Sequence, residues 1–315
     1  MLAPLLAGAL TLATLGHPTI GPAGDTAAIR ARLADPRGGL IVAAHRGCHN
    51  PAPLHGERGS VPENSRAALE RCVALGVEVM EVDVRRSADG VLVILHDATV
   101  DRTTDGHGAV DRLTAAELAA LHLRGGIDGE GGAGTEVTDE RVLTLDALLA
   151  LARGRILLNL DVKANVYAEV AAAVRRAGME RDIILKSEVG AGTPAMAAAP
   201  TFAGLGYMPI LLNPGYHADL AAMLRHQTEG DARPLGIELP RLTAAQLGAV
   251  APIARERGVR LWINTLWEGF AQGYGGDVQA LRDPEAVWGR LWRAGVSIVQ
   301  TDEPEALLRY RATLR

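Results

Sequence analysis

Short apolar runs alternate with longer amphipathic stretches along this chain from about residue 38 onward. The runs are rich in valine, isoleucine and leucine and end at turn residues, which is typical of strands buried on both faces of a parallel sheet. They predict eight strands, at 40–45, 78–84, 156–162, 182–187, 209–213, 235–239, 259–264 and 296–300. The stretches around them predict helices at 62–76, 143–154, 165–178, 193–199, 216–227, 243–258, 284–295 and 304–314. Eight strands, each followed by a helix, predict an α/β protein with a (β/α)8 TIM barrel.

One apolar run, LVILHD at 92–97, does not fit this alternation. It follows the second strand across Ser-Ala-Asp-Gly, which is too short for a crossover helix and typical of a hairpin turn. We therefore predict an antiparallel return strand and a small insertion, residues 84–141, between strand 2 and helix 2. Because the hairpin folds this run back along the second strand, His96 is expected to lie beside Asp83.

Carboxylates stand at the ends of the second and third strands. Glu81 and Asp83 are two residues apart on one strand, so their side chains point to the same side. Such a pair offers hard oxygen ligands for Mg²⁺ or Ca²⁺, and Asp161 at the end of the third strand is a candidate third ligand. The sequence therefore predicts a divalent metal site at the mouth of the barrel, where barrel active sites lie.

Basic residues and histidines stand at the ends of the first and third predicted strands and of the return strand. Arg46 and Lys163 are candidates for neutralising an anionic oxygen, and a metal with two such cations fits a phosphodiester substrate. His45 and His96 are candidates for acid and base, because imidazole titrates near neutral pH. These residues favour a metal-assisted phosphodiesterase.

The composition of the chain limits the kinds of molecule that it is expected to bind. The 315 residues carry a net charge of −5 and only 3% aromatic residues, which argues against a nucleic-acid-binding surface. We expect a small-molecule substrate. Cys48 and Cys72 form neither a CxxC pair nor a zinc pattern. We favour two unpaired thiols with Cys72 in the core, and a bridge between them is the less favoured alternative.

The chain divides into an apolar N-terminal segment with a linker, residues 1–38, and a barrel domain, residues 39–315. The first residues, MLAPLLAGALTLATLG, resemble the apolar region of a secretory signal peptide, although the usual basic residues before it are missing. We expect export, to the periplasm or the medium, and a cytoplasmic location if this segment is not a signal. No other segment is apolar enough to span a membrane. The glycine-rich run 125–134 is expected to be mobile.

Several motifs resemble the glycerophosphodiester phosphodiesterase family. They are HRG, PENS, EVDVRRSADGVLVILHD, DRTTDGHG, LDVK, LWINT and VQTDEP, and they extend over residues 40–310. The resemblance implies a barrel with an insertion after strand 2, and divalent-metal-dependent hydrolysis of glycerophosphodiesters to glycerol phosphate and an alcohol. By motif position it implies acid/base roles for His45 and His96, metal ligation by Glu81 and Asp83, phosphate binding by Arg46 and Lys163, and an aromatic substrate wall at Trp262.

The chain departs from the family pattern at two places. Asp161 occupies a ligand position where the family usually has glutamate, so its carboxylate reaches about one methylene less far. The loop from Cys48 to Val61 is longer than usual between HRG and PEN. It is either a specificity loop at the barrel mouth or a solvated insertion.

Two other functions remain open. A phospholipase-D-like enzyme on a related barrel would act on lysolipids or sphingolipids and release a cyclic phosphate. A non-catalytic protein would bind polar headgroups, although His45 and His96 argue against it. An amidohydrolase is disfavoured because no His-x-His ends the first strand, and a glycosidase because the carboxylates cluster with cations.

Overall fold

The structure, a computed structural model, describes residues 25–126, 136–230 and 233–314. Eight parallel strands close a barrel, in which the first strand pairs with both the second and the last. The strands are β1 Ile41–Ala44, β2 Val79–Arg86, β3 Leu157–Val162, β4 Ile183–Val189, β5 Gly206–Leu211, β6 Gly236–Glu238, β7 Arg260–Asn264 and β8 Val296–Thr301. The predicted barrel is confirmed, because each strand lies within a few residues of its predicted position.

Helices surround the barrel and pack on it through a continuous apolar layer. The α-helices are Thr26–Ala34, Arg66–Leu75, Ala115–Ala120, Leu145–Ala152, Tyr167–Ala177, Leu220–Gln227, Ala244–Arg257, Asp277–Arg282, Arg290–Arg293 and Pro304–Arg311, and a π-helical turn, Glu285–Gly289, precedes the ninth. The helix predicted at 193–199 is instead two 3₁₀ turns, Met196–Ala198 and Pro200–Phe202. Prolines at 194 and 200 leave too short a segment between them for a stable α-helix.

The predicted hairpin is present. A short strand, Leu92–Ile94, runs antiparallel to β2, with Val84 opposite Ile94. The insertion continues with a 3₁₀ turn, Val110–Arg112, the helix Ala115–Ala120 and two paired strands, His122–Arg124 and Val137–Arg141. It has a small apolar core of its own, formed by Val93, Leu95, Val100, Val110, Leu118, Leu123 and Val142.

The segment before β1 is more than a linker. Asp25 caps the helix Thr26–Ala34, and Leu33 packs under the amino end of the barrel. The buried Arg260 on β7 donates to the carbonyls of Leu33 (2.9 Å) and Gly39 (2.9 Å), so it binds this helix to the barrel. The sequence pattern does not reveal the helix, because these contacts come from the other end of the chain.

Two predictions concern regions outside the described residues. The apolar segment proposed as a signal lies in residues 1–24, and most of the glycine-rich run lies in 127–135. Among the helices of the described ranges, none has the length and apolar character needed to cross a bilayer.

The expectation of two unpaired thiols is wrong, because Cys48 and Cys72 form a disulfide with a Cα–Cα distance of 5.1 Å. Arg46 and Gly47 both have positive φ, which turns the chain back over the helix Arg66–Leu75. The Cys48 amide then donates to the carbonyl of Ala68 (3.4 Å). Cys48 is therefore buried against the helix rather than placed in a solvated loop.

Candidate active site

Three carboxylates meet at the carboxyl end of the barrel. Glu81 and Asp83 lie on β2, and Asp83 is the register partner of Asp161 on β3. One oxygen from each lies within 4.8 Å of the others. Glu81 and Asp83 are buried, and Asp161 is partly buried. The structure thus brings together the three candidate metal ligands, and this set of hard oxygen donors fits a divalent cation.

Two lysines contact these carboxylates. Lys163 Nζ lies 3.1 Å from Asp83 Oδ1 and 2.9 Å from Asp161 Oδ2. Lys186 on β4 is only 2% exposed, and its Nζ lies 3.5 Å from Asp161 Oδ2 and 3.3 Å from Glu238 Oε2. The sequence places Lys186 at the end of the fourth predicted strand, facing the barrel mouth, and in the strand register it directly faces Asp161.

The two lysines determine which carboxylates are ionised most readily. Burial by itself raises the pKa of Asp161, but the charges of Lys186 and Lys163 outweigh it and lower the pKa. The pKa of Glu81 is raised, first by burial and then by the nearby charge of Asp83. Of the three carboxylates, Glu81 is therefore the one whose negative charge is least compensated by neighbouring cations.

His45 follows β1 and is held by Asp302, which follows β8. Its Nδ1 lies 2.8 Å from Asp302 Oδ1, and its backbone amide donates to the carbonyl of Thr301 (3.1 Å). Burial lowers the pKa of His45, but the charge and hydrogen bond of Asp302 outweigh it, so the pKa is raised. With Nδ1 taken by Asp302, Nε2 is the ring nitrogen available to a substrate.

His96 has a similar arrangement at the end of the return strand. The amide of Leu95 donates to the carbonyl of Asp83 (3.0 Å), which places His96 beside the acidic cluster as predicted. Its Nδ1 lies 2.6 Å from Asp97 Oδ1. Burial raises the pKa of Asp97, but hydrogen bonds from Arg102 and His96 outweigh it and lower this pKa to about 2. His96 therefore also has its Nε2 available.

An ion-pair network joins Arg46 to His96. Arg46 Nη1 donates to both oxygens of Glu63 (3.1 Å each), and Arg102 donates to Glu63 and to Asp97, the partner of His96. Arg46 also donates through its backbone amide to Glu81 Oε2 (2.9 Å). The guanidinium is thus fixed next to the acidic cluster.

The PENS motif supplies more than a helix cap. Ser65 is the residue that caps the helix, by accepting a hydrogen bond from the amide of Ala68. Asn64, which has a positive φ of 56°, instead donates to Asp83 Oδ2 (2.8 Å) and accepts from the Asp83 amide (3.1 Å). Glu63 and Asn64, which lie in the predicted helix 62–76, therefore do not cap this helix but bind the site residues Arg46 and Asp83.

These groups line a cavity of about 550 Å³. Its charged wall comes from residues on or directly after β1 to β4 and from the hairpin, and includes His45, Arg46, Glu81, His96, Asp161, Lys163 and Lys186. Its other wall is largely apolar, comes from the ends of β5 to β7, and includes Ile210, Leu212, Pro214, Leu266, Trp267 and Phe270. The cavity can therefore take a substrate with an anionic centre on one side and a less polar group on the other.

The aromatic wall is not formed by Trp262. This residue is fully buried inside the barrel, where its Nε1 donates to Asn264 Oδ1 (2.9 Å). Trp267 and Phe270, stacked with ring centroids 5.1 Å apart, line the cavity instead. The strand alternation explains the correction: Trp262 packs with apolar side chains below the mouth, whereas Trp267 lies in the loop after β7.

The long loop between HRG and PENS is folded against the barrel. Its first residues, including His49, Asn50 and Ala52, are buried, whereas residues 53–59 are exposed, so the base of the loop is packed and its tip is solvated. Among the described residues, however, none from Cys48 to Val61 lines the cavity, so the structure gives no support to a direct specificity role.

Known proteins share this sequence and fold. Residues 45–203, a little over half of the chain, match the glycerophosphoryl diester phosphodiesterase family, and residues 207–311 match a domain of unknown function. The chain is 34% identical over 154 residues to a glycerophosphodiester phosphodiesterase of Caldanaerobacter subterraneus, in a match that covers 47% of this chain and 57% of that protein. The chain spans about half the length of the curated relatives it matches.

Solved structures match more of the chain. A glycerophosphoryl diester phosphodiesterase from Parabacteroides distasonis superposes with a TM-score of 0.67 at 22% identity, covering 92% of each chain. A glycerophosphodiester phosphodiesterase from Agrobacterium tumefaciens superposes with a TM-score of 0.58 at 25% identity, covering 87% of this chain and 100% of that chain. These similarities support the same barrel fold.

Proposed function

This chain belongs to the glycerophosphoryl diester phosphodiesterase family, and we propose that it hydrolyses glycerophosphodiesters to glycerol 3-phosphate and an alcohol. One observation carries the proposal: His45 and His96 line the same cavity as the cations Arg46 and Lys163 and two of the clustered carboxylates, Glu81 and Asp161. Two imidazoles beside an anion-neutralising site are what phosphodiester hydrolysis needs.

The cations of the charged wall bind the phosphate. Arg46 and Lys163 reach the cavity and neutralise its oxygens as negative charge develops. Lys186 lies deeper and stabilises the ionised form of Asp161. Because Glu63 and Asp83 also hold Arg46, the guanidinium is already oriented before substrate arrives.

The two histidines transfer protons through Nε2. One of them accepts a proton from the attacking water as the water oxygen bonds to phosphorus, and the other donates a proton to the oxygen of the leaving alcohol as the bond from phosphorus to that oxygen breaks. Asp302 and Asp97 each hold Nδ1 of one histidine, which orients the rings and leaves Nε2 as the nitrogen that accepts or donates the proton.

A divalent metal is part of the proposal, and Glu81, Asp83 and Asp161 would hold it. Their oxygen-only donor set favours Mg²⁺ or Ca²⁺ over softer metals. When bound, the ion supplies further neutralisation of the phosphate charge.

The proposal is tested with a panel of glycerophosphodiesters that differ in their alcohol. The protein is stripped with EDTA, Mg²⁺ or Ca²⁺ is restored, and released glycerol 3-phosphate is assayed enzymatically. We expect release from at least one substrate, loss of activity in EDTA and recovery with metal. A protein that releases no glycerol 3-phosphate from any substrate under any metal condition is not this enzyme.

A phospholipase-D-like reaction on lysolipids is the second candidate. The apolar wall around Trp267 and Phe270 favours it, because Trp267 is 54% exposed beside the cavity and offers a surface for a lipid chain. Phosphorus NMR of the products separates the two reactions, since the second releases a cyclic phosphate. A non-catalytic headgroup-binding protein would bind these compounds and leave them intact.

We also propose that the protein acts outside the cytosol. The Cys48–Cys72 disulfide supports this, because such bridges persist mainly in oxidising compartments. Fractionation of cells producing the full chain tests the proposal, which requires the protein in the periplasm or medium.

A further inference from the structure

One oxygen of Asp302 contacts two histidines. Asp302 Oδ1 lies 2.8 Å from His45 Nδ1 and 3.1 Å from His49 Nε2. Burial raises the pKa of Asp302, but both histidines oppose this effect and lower the pKa, so the carboxylate is ionised. Because an ionised carboxylate only accepts hydrogen bonds, both ring nitrogens donate to it.

His49 is held rigidly in this position. It is 1% exposed, and it directly follows Cys48, which the disulfide ties to the helix Arg66–Leu75. Its carbonyl accepts a hydrogen bond from the Val61 amide (2.9 Å). Its Nδ1 is buried and has no hydrogen-bond partner among the described residues, which favours the tautomer with the proton on Nε2.

Asp302 is fixed from its other side as well. Its backbone amide donates to Asp277 Oδ2 (2.8 Å), and Thr265 Oγ1 donates to Asp277 Oδ1 (2.6 Å). The carboxylate of Asp302 is thus anchored through its backbone at one end and held by His49 at the other. The direction of the His45 ring is therefore set by an oxygen that is itself held in place.

We propose that His49 is a positioning residue for the reaction: by sharing Asp302 with His45, it fixes the His45 ring with Nε2 directed into the cavity. The proposal rests on the proposed role of His45 in proton transfer. It gives the long loop between HRG and PENS a function, namely to carry His49 beneath the catalytic histidine. His49 itself does not line the cavity and contacts no reacting atom.

The side chains of His45, His49 and Asp302 also lie close enough together to be considered as ligands of one metal ion. The distances favour hydrogen bonds. Ligand atoms on a tetrahedral ion, each about 2.05 Å from the metal, lie about 3.3 Å from one another. The two contacts of Asp302, 2.8 and 3.1 Å, are shorter than that and match N–H···O bonds. Zinc binding at this cluster is therefore an outcome that would overturn the proposal.

Three variants test the proposal kinetically. His49→Phe removes the donor to Asp302, and we expect kcat to fall about ten- to a hundredfold with KM within about twofold. His49→Gln restores an N–H donor at the matching position and should recover most of kcat. His55→Phe is the matched control: this histidine lies in the same loop, is also bonded to a carboxylate (Nδ1 to Glu305 Oε1, 2.7 Å), and does not line the cavity.

The kinetic outcomes separate this inference from the proposed function. A wild-type protein without glycerol 3-phosphate release overturns the proposed function. An active wild type whose kcat is unchanged in His49→Phe overturns the role of His49 alone. Equal losses in His49→Phe and His49→Gln, or a loss confined to KM, also overturn it, because a lost donor must be rescued and must act on turnover.

A spectroscopic measurement tests the contact without using activity. Long-range proton–nitrogen NMR of the wild type at alkaline pH, where His45 is neutral, reports which ring nitrogen carries the proton. We expect the proton of neutral His45 on Nδ1 and that of His49 on Nε2. In His49→Gln, His45 should keep this tautomer because the glutamine N–H donates to Asp302. A mixture of His45 tautomers in this variant would show that the glutamine does not reach Asp302. A wild-type His45 protonated at Nε2, or signals displaced by stoichiometric Zn²⁺, would contradict the proposal.

Discussion

Asp83 and Asp161 lie opposite each other on neighbouring strands, and both carboxylates contact Nζ of Lys163, at 3.1 and 2.9 Å. This register places two acids and one base around a single point of the cavity. The lysine limits the mutual repulsion of the two acids. In the proposed function these acids would supply ligand oxygens to a metal while the lysine binds phosphate.

Asp161→Asn should weaken metal-dependent activity by more than about tenfold, because it removes one ionised ligand and leaves Lys163 and Lys186 less compensated. The measurement is the rate of glycerol 3-phosphate release against Mg²⁺ or Ca²⁺ concentration. Asp161→Glu is the matched control, and it should keep metal-dependent activity because the charge is retained. If Asp161→Asn shows an unchanged metal dependence, Asp161 is not a ligand.

His96→Ala should lower kcat by about 10²- to 10⁴-fold, the usual contribution of a general acid or base. His122→Ala provides the control, since His122 belongs to the same insertion, is also bonded to an aspartate (Nδ1 to Asp105 Oδ2, 3.0 Å), and does not line the cavity. Its kcat should match the wild type. Steady-state kinetics at saturating substrate measure both. Equal turnover in the two variants would exclude His96 from proton transfer.

Replacing both Cys48 and Cys72 with serine should lower the free energy of unfolding by about 2–4 kcal/mol, because the bridge restricts the unfolded chain. Urea unfolding followed by circular dichroism measures this difference. Added reductant should shift the wild type toward the double variant and leave the variant unchanged. A variant as stable as the oxidised wild type would show that the bridge contributes nothing to stability.

Asp277 should make stability depend on pH. Burial raises the pKa of its carboxyl group from 3.8 to about 7 in the folded protein. Between those values the folded state keeps a proton that the unfolded chain has lost, so the contribution of Asp277 to the free energy of unfolding is fully present below pH about 4 and declines as pH rises toward about 7. The variant Asp277→Asn should lack this pH-dependent contribution, because asparagine has no carboxyl group to titrate.

Relative to wild type, Asp277→Asn should therefore become more stable by up to about 4 kcal/mol as pH rises from about 4 to about 7. Urea unfolding at several pH values measures the difference. Asp139→Asn, at an exposed aspartate, controls for the substitution itself. A difference that stays constant over this range would contradict the prediction.

Much of the fold is predictable because its signals are local. The apolar runs at 78–84 and 156–162 lie within two residues of β2 and β3, since a buried strand needs consecutive apolar residues. The hairpin after β2 can also be predicted from the sequence, because its turn contains Asp-Gly. The same alternation placed Glu81 and Asp83 on one side of β2 and brought His96 next to them.

The sequence by itself determined the barrel, the return hairpin and the residues that gather at its mouth, because these follow from periodicity and turn chemistry within a few residues. Only the tertiary structure decided the Cys48–Cys72 bridge, the replacement of Trp262 by Trp267 at the cavity, and the contact of His45 with Asp302, 257 residues away. These features depend on left-handed turns and on loops that meet only when β8 closes against β1. A local sequence pattern cannot predict such contacts, because the residues that take part in them are brought together by the packing of the whole barrel.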